Sequence, residues 1–92
     1  MIISFRNKAL QRFFETGNTR GLSVQDSKRV ARILRAMEAA GKPEDMDLPG
    51  YHFHSLIGQD KGRYSVRVTG NWRITFSWKD EDAVDIDLED YH

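Results

Sequence analysis

Three histidines, His52, His54 and His92, are the side chains of this sequence that titrate nearest neutral pH, and each can serve as acid or base. His52 and His54 lie two apart, so on a strand they share a face. With His92 they would complete a three-histidine metal set of the kind found in catalytic zinc centres. An H-x-H pair with no supporting third ligand is weak evidence for a metal. The pattern therefore favours acid–base use with no metal and no other cofactor, and a histidine held by a backbone group is the competing reading for His52. Cleaving RNA requires a base near the 2′-hydroxyl, an acid near the departing 5′-oxygen, and cations around a pentavalent phosphate. Arginine supplies a permanently charged fork for the phosphate oxygens, and tyrosine can stack on an unpaired base. This chain has Arg63, Arg67 and Arg73 at alternating positions and closes on Asp90-Tyr91-His92. Spacing alone leaves open whether those last three residues form a site or an unused terminus.

The elements that must position these groups follow from periodicity. Residues 2–5 are expected to form a short strand. Asn7 can cap a helix over residues 8–16, with Leu10, Phe13 and Phe14 on one side and Gly17 as its stop. Ser23 with Asp26 resembles a capping box opening a second helix that runs to about Ala40, where Gly41 and Pro43 end it. Its apolar stripe is Val30, Ile33, Leu34 and Met37, while Lys28, Arg32 and Arg35 fall on another side with Arg29 adjacent. From Tyr51 the period changes to two. Residues 51–56 alternate, and residues 58–62 make a turn. Tyr64, Val66 and Val68 alternate with Arg63, Ser65 and Arg67. After the hairpin at Thr69-Gly70-Asn71, Trp72, Ile74, Phe76 and Trp78 alternate with Arg73, Thr75 and Ser77. A final strand sets Val84, Ile86 and Leu88 against Asp85 and Asp87. The order β-α-α-β-β-β-β predicts an α+β fold, an antiparallel sheet of three or four strands with both helices packed on one face. Arg63, Arg67, Arg73, Thr75 and Ser77 then share the uncovered face, a seat for a phosphate backbone.

Ninety-two residues form one small domain, 1–92, and 39% hydrophobic and 11% aromatic content suffices for one core. No apolar run of 18 residues is present, so no membrane span is expected. The start Met1-Ile2-Ile3-Ser4-Phe5-Arg6 has no long apolar segment and is not expected to be a signal peptide. With no cysteine, disulfides, thiolate metal sites and thiol nucleophiles are excluded, and the expected compartment is the cytoplasm. The net charge is zero, yet residues 1–35 hold eight Lys/Arg against two acids, a net +6, and residues 36–92 hold six against twelve, a net −6. Such a chain can present a basic surface to a polyanion, or merely two solvated faces of opposite sign.

Two segments are specific in combination: Asn71-Trp72-Arg73-Ile74-Thr75-Phe76 and the closing Asp90-Tyr91-His92. Together with Gly62-Arg63-Tyr64-Ser65-Val66-Arg67-Val68 and the opening Met1-Ile2 with Ser4-Phe5, they give a sequence that resembles the HigB branch of the RelE/ParE toxin superfamily over essentially its whole length. The resemblance implies a small RelE/ParE-like sheet-and-two-helix domain. It also implies pairing with a helix-turn-helix (HigA-like) antitoxin, and metal-independent cleavage of messenger RNA in the A site of the 30S ribosomal subunit. Matched residue by residue, the functional positions fall on His54, Arg67, Arg73, Asp90, Tyr91 and His92. Some relatives carry a basic residue where this chain has Ile57, and Lys61 is the nearest substitute.

On that resemblance His92 is expected to be the general acid, with His54 its partner base or a group orienting the sugar. Arg73, aided by Arg67, stabilises the charge developing on phosphate, and Tyr91 packs on the substrate base. Asp90 orients a neighbour or is itself the base, and the products are a 2′,3′-cyclic phosphate and a 5′-hydroxyl. Lys28, Arg29, Arg32 and Arg35, with Arg6, Lys8 and Arg12, would hold ribosomal RNA through sequence-independent contacts. The alternatives are a ParE-like poison of DNA gyrase, which has no need of the terminal histidine and tyrosine, and a non-catalytic RNA- or protein-binding module.

Overall fold

The computed structural model describes residues 1–58 and 62–90, so Gln59, Asp60 and Lys61 of the expected turn lie outside the described residues, as do Tyr91 and His92. Helix α1 (Lys8–Thr16) begins where the Asn7 side chain accepts from the Leu10 N–H at 2.9 Å, satisfying one of the donors a helix start leaves unpaired. It ends at Gly17, whose φ of 78° is accessible without steric cost only to glycine. Helix α2 (Ser27–Ala39) starts later than a box opened by Ser23 would allow. Asp26 itself is the cap, accepting from Arg29 N–H at 3.1 Å, so Ser23 is left exposed ahead of the helix. The stripe Val30, Ile33, Leu34 and Met37 is fully buried, as the spacing of three and four residues requires. A one-turn 3-10 helix, Pro43–Met46, then carries Met46 into the same core.

Strand β1 is only His54–Ser55, much shorter than the alternation over 51–56 suggests. Gly50 and His52 both have positive φ, 83° and 49°, which breaks the extended run before it can pair. Strands β2 (Arg63–Arg67), β3 (Trp72–Lys79) and β4 (Asp82–Asp90) follow, and the sheet order is β1-β2-β3-β4 with every pair antiparallel. Val66, Ile74, Phe76, Ile86 and Leu88 meet Leu10 and the α2 stripe in one apolar cluster, against which Trp72 and Trp78 pack half-buried. The architecture is the expected small α+β one.

The residues at 2–5 do not form a strand. They make two isolated parallel bridges to β4, Ile2 with Ala83 and Phe5 with Ile86. The ladder is interrupted because β4 bulges: between the pairs Thr75–Asp87 and Ser77–Val84 it carries one residue more than β3, and Asp85 sits at φ 53°. The bulge shifts the inside–outside alternation by one. Ala83 is therefore buried beside Ile86, three residues on, while Val84, expected inside, is half-buried. Three of the backbone groups at the bulge find partners outside the β3–β4 ladder. Asp85 N–H donates to Ser4 Oγ at 2.9 Å, Ile86 N–H donates to Ser4 O at 3.1 Å, and the Asp85 carbonyl accepts from Arg63 at 2.9 Å.

Candidate active site on the polar sheet face

Residues directly opposed in an antiparallel pair share a face, so the register of the sheet sorts the polar side chains into rows. One row crosses all four strands: His54, Ser65, Thr75 and Asp87. The next row is Arg67, Arg73 and Glu89. A third, on the other side of the first, pairs Arg63 with Ser77.

This face is only partly open. Arg63 lies almost flat along it, 7% exposed, donating to Ser77 Oγ at 3.0 Å, Thr75 Oγ1 at 2.9 Å and the Asp85 carbonyl at 2.9 Å. Ser65 and Thr75 are buried as well. Arg63, expected among the uncovered cations, is instead a cross-strand brace. Burial, and secondarily the Arg6 guanidinium, push its pKa below the ordinary arginine value, while the carboxylates of Glu89, Asp87 and Asp85 oppose that shift.

Arg67 and Arg73 are opposed on β2 and β3, which sets their Cα atoms about 5 Å apart on one face of the sheet. Both are half-buried. Arg67 is held at both ends of its backbone, its N–H donating to Tyr51 O at 2.6 Å and its carbonyl accepting from Arg29 Nη2 at 3.0 Å. His54, exposed on β1, stands one row along and two strands from Arg73. Strand spacings put their Cα atoms about 12 Å apart.

The remaining expected residues divide. Asp90 is exposed at the end of β4 and is paired with Trp72, one residue out of phase with the arginine row. The carboxylate in phase with Arg73 is Glu89, which periodicity does not single out. A signal exists in Asp87 and Glu89, two apart on the strand after the arginine strand, but the bulge at Asp85 hides the phase. Tyr91 and His92 lie outside the described residues. Among the described residues no three His, Cys, Asp or Glu side chains stand together as metal ligands would.

The basic row on α2 also divides. Lys28, Arg32 and Arg35 are exposed, but Arg29 is half-buried and committed. Its Nη2 donates to Gly50 O at 2.7 Å and to Arg67 O, and its guanidinium lies 5.3 Å from the centre of the Tyr51 ring. Ile57 is 87% exposed. No helix among the described residues is long and apolar enough to cross a membrane.

Two helices on one side of a four-stranded antiparallel sheet, with paired arginines on the other, define a RelE-like toxin domain. Residues 3–92 match the family model of the RelE-like toxin HigB of type II toxin–antitoxin systems, and the chain belongs to that family. It is 39% identical to the endoribonuclease HigB of Proteus vulgaris over 92 residues, covering all of both chains. It is 31% identical to toxin HigB-1 of Vibrio cholerae serotype O1 over 93 residues, covering 97% of this chain and 96% of the other. A type II toxin has an antitoxin partner, and this family membership extends that expectation to the present chain.

Proposed function

We propose that the protein is an endoribonuclease that cuts messenger RNA in the ribosomal A site by side-chain acid–base chemistry and is neutralised by a helix-turn-helix antitoxin. The observation that carries this reading is the opposed pair Arg67 and Arg73 on the polar sheet face, one row from His54. Two forked cations set side by side concentrate positive charge where an anion can bridge them. The scissile phosphate is such an anion, and it gains charge on its non-bridging oxygens as the reaction proceeds.

In the reaction a base removes the proton of the 2′-hydroxyl. The 2′-oxygen attacks phosphorus, and the bond to the 5′-oxygen breaks as an acid protonates that oxygen. The products are a 2′,3′-cyclic phosphate and a 5′-hydroxyl. Arg73, with Arg67, binds the non-bridging oxygens. His54 takes the 2′ proton or orients the ribose, and His92 donates to the 5′-oxygen. Tyr91 stacks on the base, and Asp90 orients a neighbour or shares the base role. Lys28, Arg32 and Arg35 supply sequence-independent contacts to ribosomal RNA, with Arg6, Lys8 and Arg12 extending the same charge. Arg29 serves this surface indirectly, by holding α2 against the end of β2. Homology to a protein named an endoribonuclease supports the reaction class.

Primer extension on translated messenger, with analysis of the product ends, tests the reading. Discrete cuts within codons ending in cyclic phosphate are expected. Growth arrest with DNA damage and no cuts would overturn it in favour of a gyrase poison.

A further inference from the structure

Arg67 is the last residue of β2, where the strand has no further ladder to hold it. Its side chain is half-buried, and among the described residues its buried Nε has no hydrogen-bond partner. The direction of the fork therefore depends on the backbone that carries it. Both polar groups of that backbone bond to partners outside the β2–β3 pair. In an unbroken sheet those partners would come from β1. The register of His54 with Ser65, continued, would set His52 opposite Arg67, but His52 has φ 49° and the strand reaches back only to His54.

Two substitutes complete the missing ladder. The Arg67 N–H donates to Tyr51 O at 2.6 Å, and the Arg67 carbonyl accepts from Arg29 Nη2 at 3.0 Å. The same Nη2 donates to Gly50 O at 2.7 Å, so one nitrogen from α2 ties residues 50–51 to the end of β2. Hydrogen bonds from a cation are stronger than those between neutral groups. The Arg29 guanidinium also lies 5.3 Å from the centre of the Tyr51 ring, a second restraint on its place. Its neighbours Lys28 and Arg32 are exposed, whereas Arg29 is half-buried with its charge turned inward.

We infer that Arg29 is a positioning residue for Arg67: it stands in for the strand residue that β1 lacks and fixes the backbone from which the Arg67 fork extends. The inference rests on the reading of Arg67 as a phosphate-binding group. A preorganised donor needs no reordering as charge develops on the phosphate, and a small displacement of such a group is costly in rate. Loss of Arg29 therefore lowers the rate at saturation. Because its charge is committed to two carbonyls, ribosome affinity and its salt dependence stay near parental. A cation that itself gripped ribosomal RNA would give the reverse pattern.

Single-turnover cleavage of messenger on programmed ribosomes with the full chain, across a toxin titration and well below each variant's Tm, separates these. Arg29→Lys keeps the charge on α2 but falls one bond short of the two carbonyls. Its saturated rate should fall by roughly tenfold, with a half-saturating concentration and salt slope near parental. Arg29→Ala should lose at least as much, and where it does not fold the Lys variant carries the test. Ile33→Val, a core change on the same helix, lowers Tm without touching Arg67 and should cleave at the parental saturated rate. In an Arg67→Ala background Arg29→Lys should have almost no further effect, because it acts through Arg67. If Arg29→Lys cleaves at the parental rate while Arg67→Ala does not, the inference falls and the role of Arg67 stands. If Arg67→Ala also cleaves at the parental rate, the reading of Arg67 is itself wrong. An equal loss in Ile33→Val would assign the effect to stability, and additive losses in the double variant would show Arg29 acting independently of Arg67. Either result would overturn the positioning role.

Discussion

Arg63 on β2 reaches across β3 to the main-chain carbonyl of Asp85 on β4, 2.9 Å away, and so caps the acceptor that the β4 bulge exposes. One buried cation thereby joins three strands, fixes Thr75 and ties the polar face to the point where the N-terminal segment docks. Removing it leaves the Ser77 hydroxyl, the Thr75 hydroxyl and a carbonyl short of a partner. Arg63→Ala should lower stability by about 1–3 kcal/mol, the cost typical of buried polar groups left unpaired. Arg63→Lys should restore only part of it, since an ammonium cannot match the fork. Thermal melting measures both, and a parental Tm for the Ala variant would show that the brace contributes nothing.

Arg73 should carry the largest catalytic loss of any single cation on the sheet. Arg73→Ala should reduce single-turnover cleavage roughly a hundredfold to a thousandfold, the range seen when a preorganised donor to a developing oxyanion is removed. Arg73→Lys should recover a fraction, keeping charge but losing the two-pronged geometry.

On α2, the exposed and the committed cations should separate cleanly. Neutralising Lys28 and Arg32 together should weaken ribosome binding. It should also reduce the slope of log affinity against log salt by about one unit for each phosphate no longer neutralised. Cleavage at saturating toxin should stay near parental. Arg29→Ala should instead lower the Tm, because it removes two hydrogen bonds to carbonyls and the cation's packing on the Tyr51 ring. Binding isotherms at several salt concentrations, paired with melting curves, report the two effects.

Deleting Asp90-Tyr91-His92 should abolish toxicity while the domain still melts cooperatively near the parental temperature. The core cluster ends at Leu88, and Asp90 is exposed. Growth arrest on induction and thermal melting decide it together: an intact fold that still arrests growth would place the site elsewhere.

Ile57→Lys places a cation at an exposed position just after β1. At 87% exposure the change should move stability by no more than about 0.5 kcal/mol. Cleavage on ribosomes should rise, and equal or lower activity would mean that the site is complete without a cation there.

The sequence alone determined the elements whose signals are local. Asn7 and Gly17 bound α1, and the stripe from Val30 to Met37 orients α2, because capping and helical periodicity act within a few residues. Alternation along β2 and β3 placed Arg67 and Arg73 on the face opposite Ile74 and Phe76, since successive strand residues must point to opposite sides. The interactions that span the chain were decided only by the tertiary structure. Arg29 and Arg63 look like two more surface cations in sequence, and became a staple and a brace because carbonyls from distant segments face them. One extra residue in β4 put Ala83 inside and Val84 at the margin. The same register brings Glu89, and not Asp90, opposite Arg73. A bulge is set by how two strands and the N-terminal segment share hydrogen bonds, and no period in one strand encodes that.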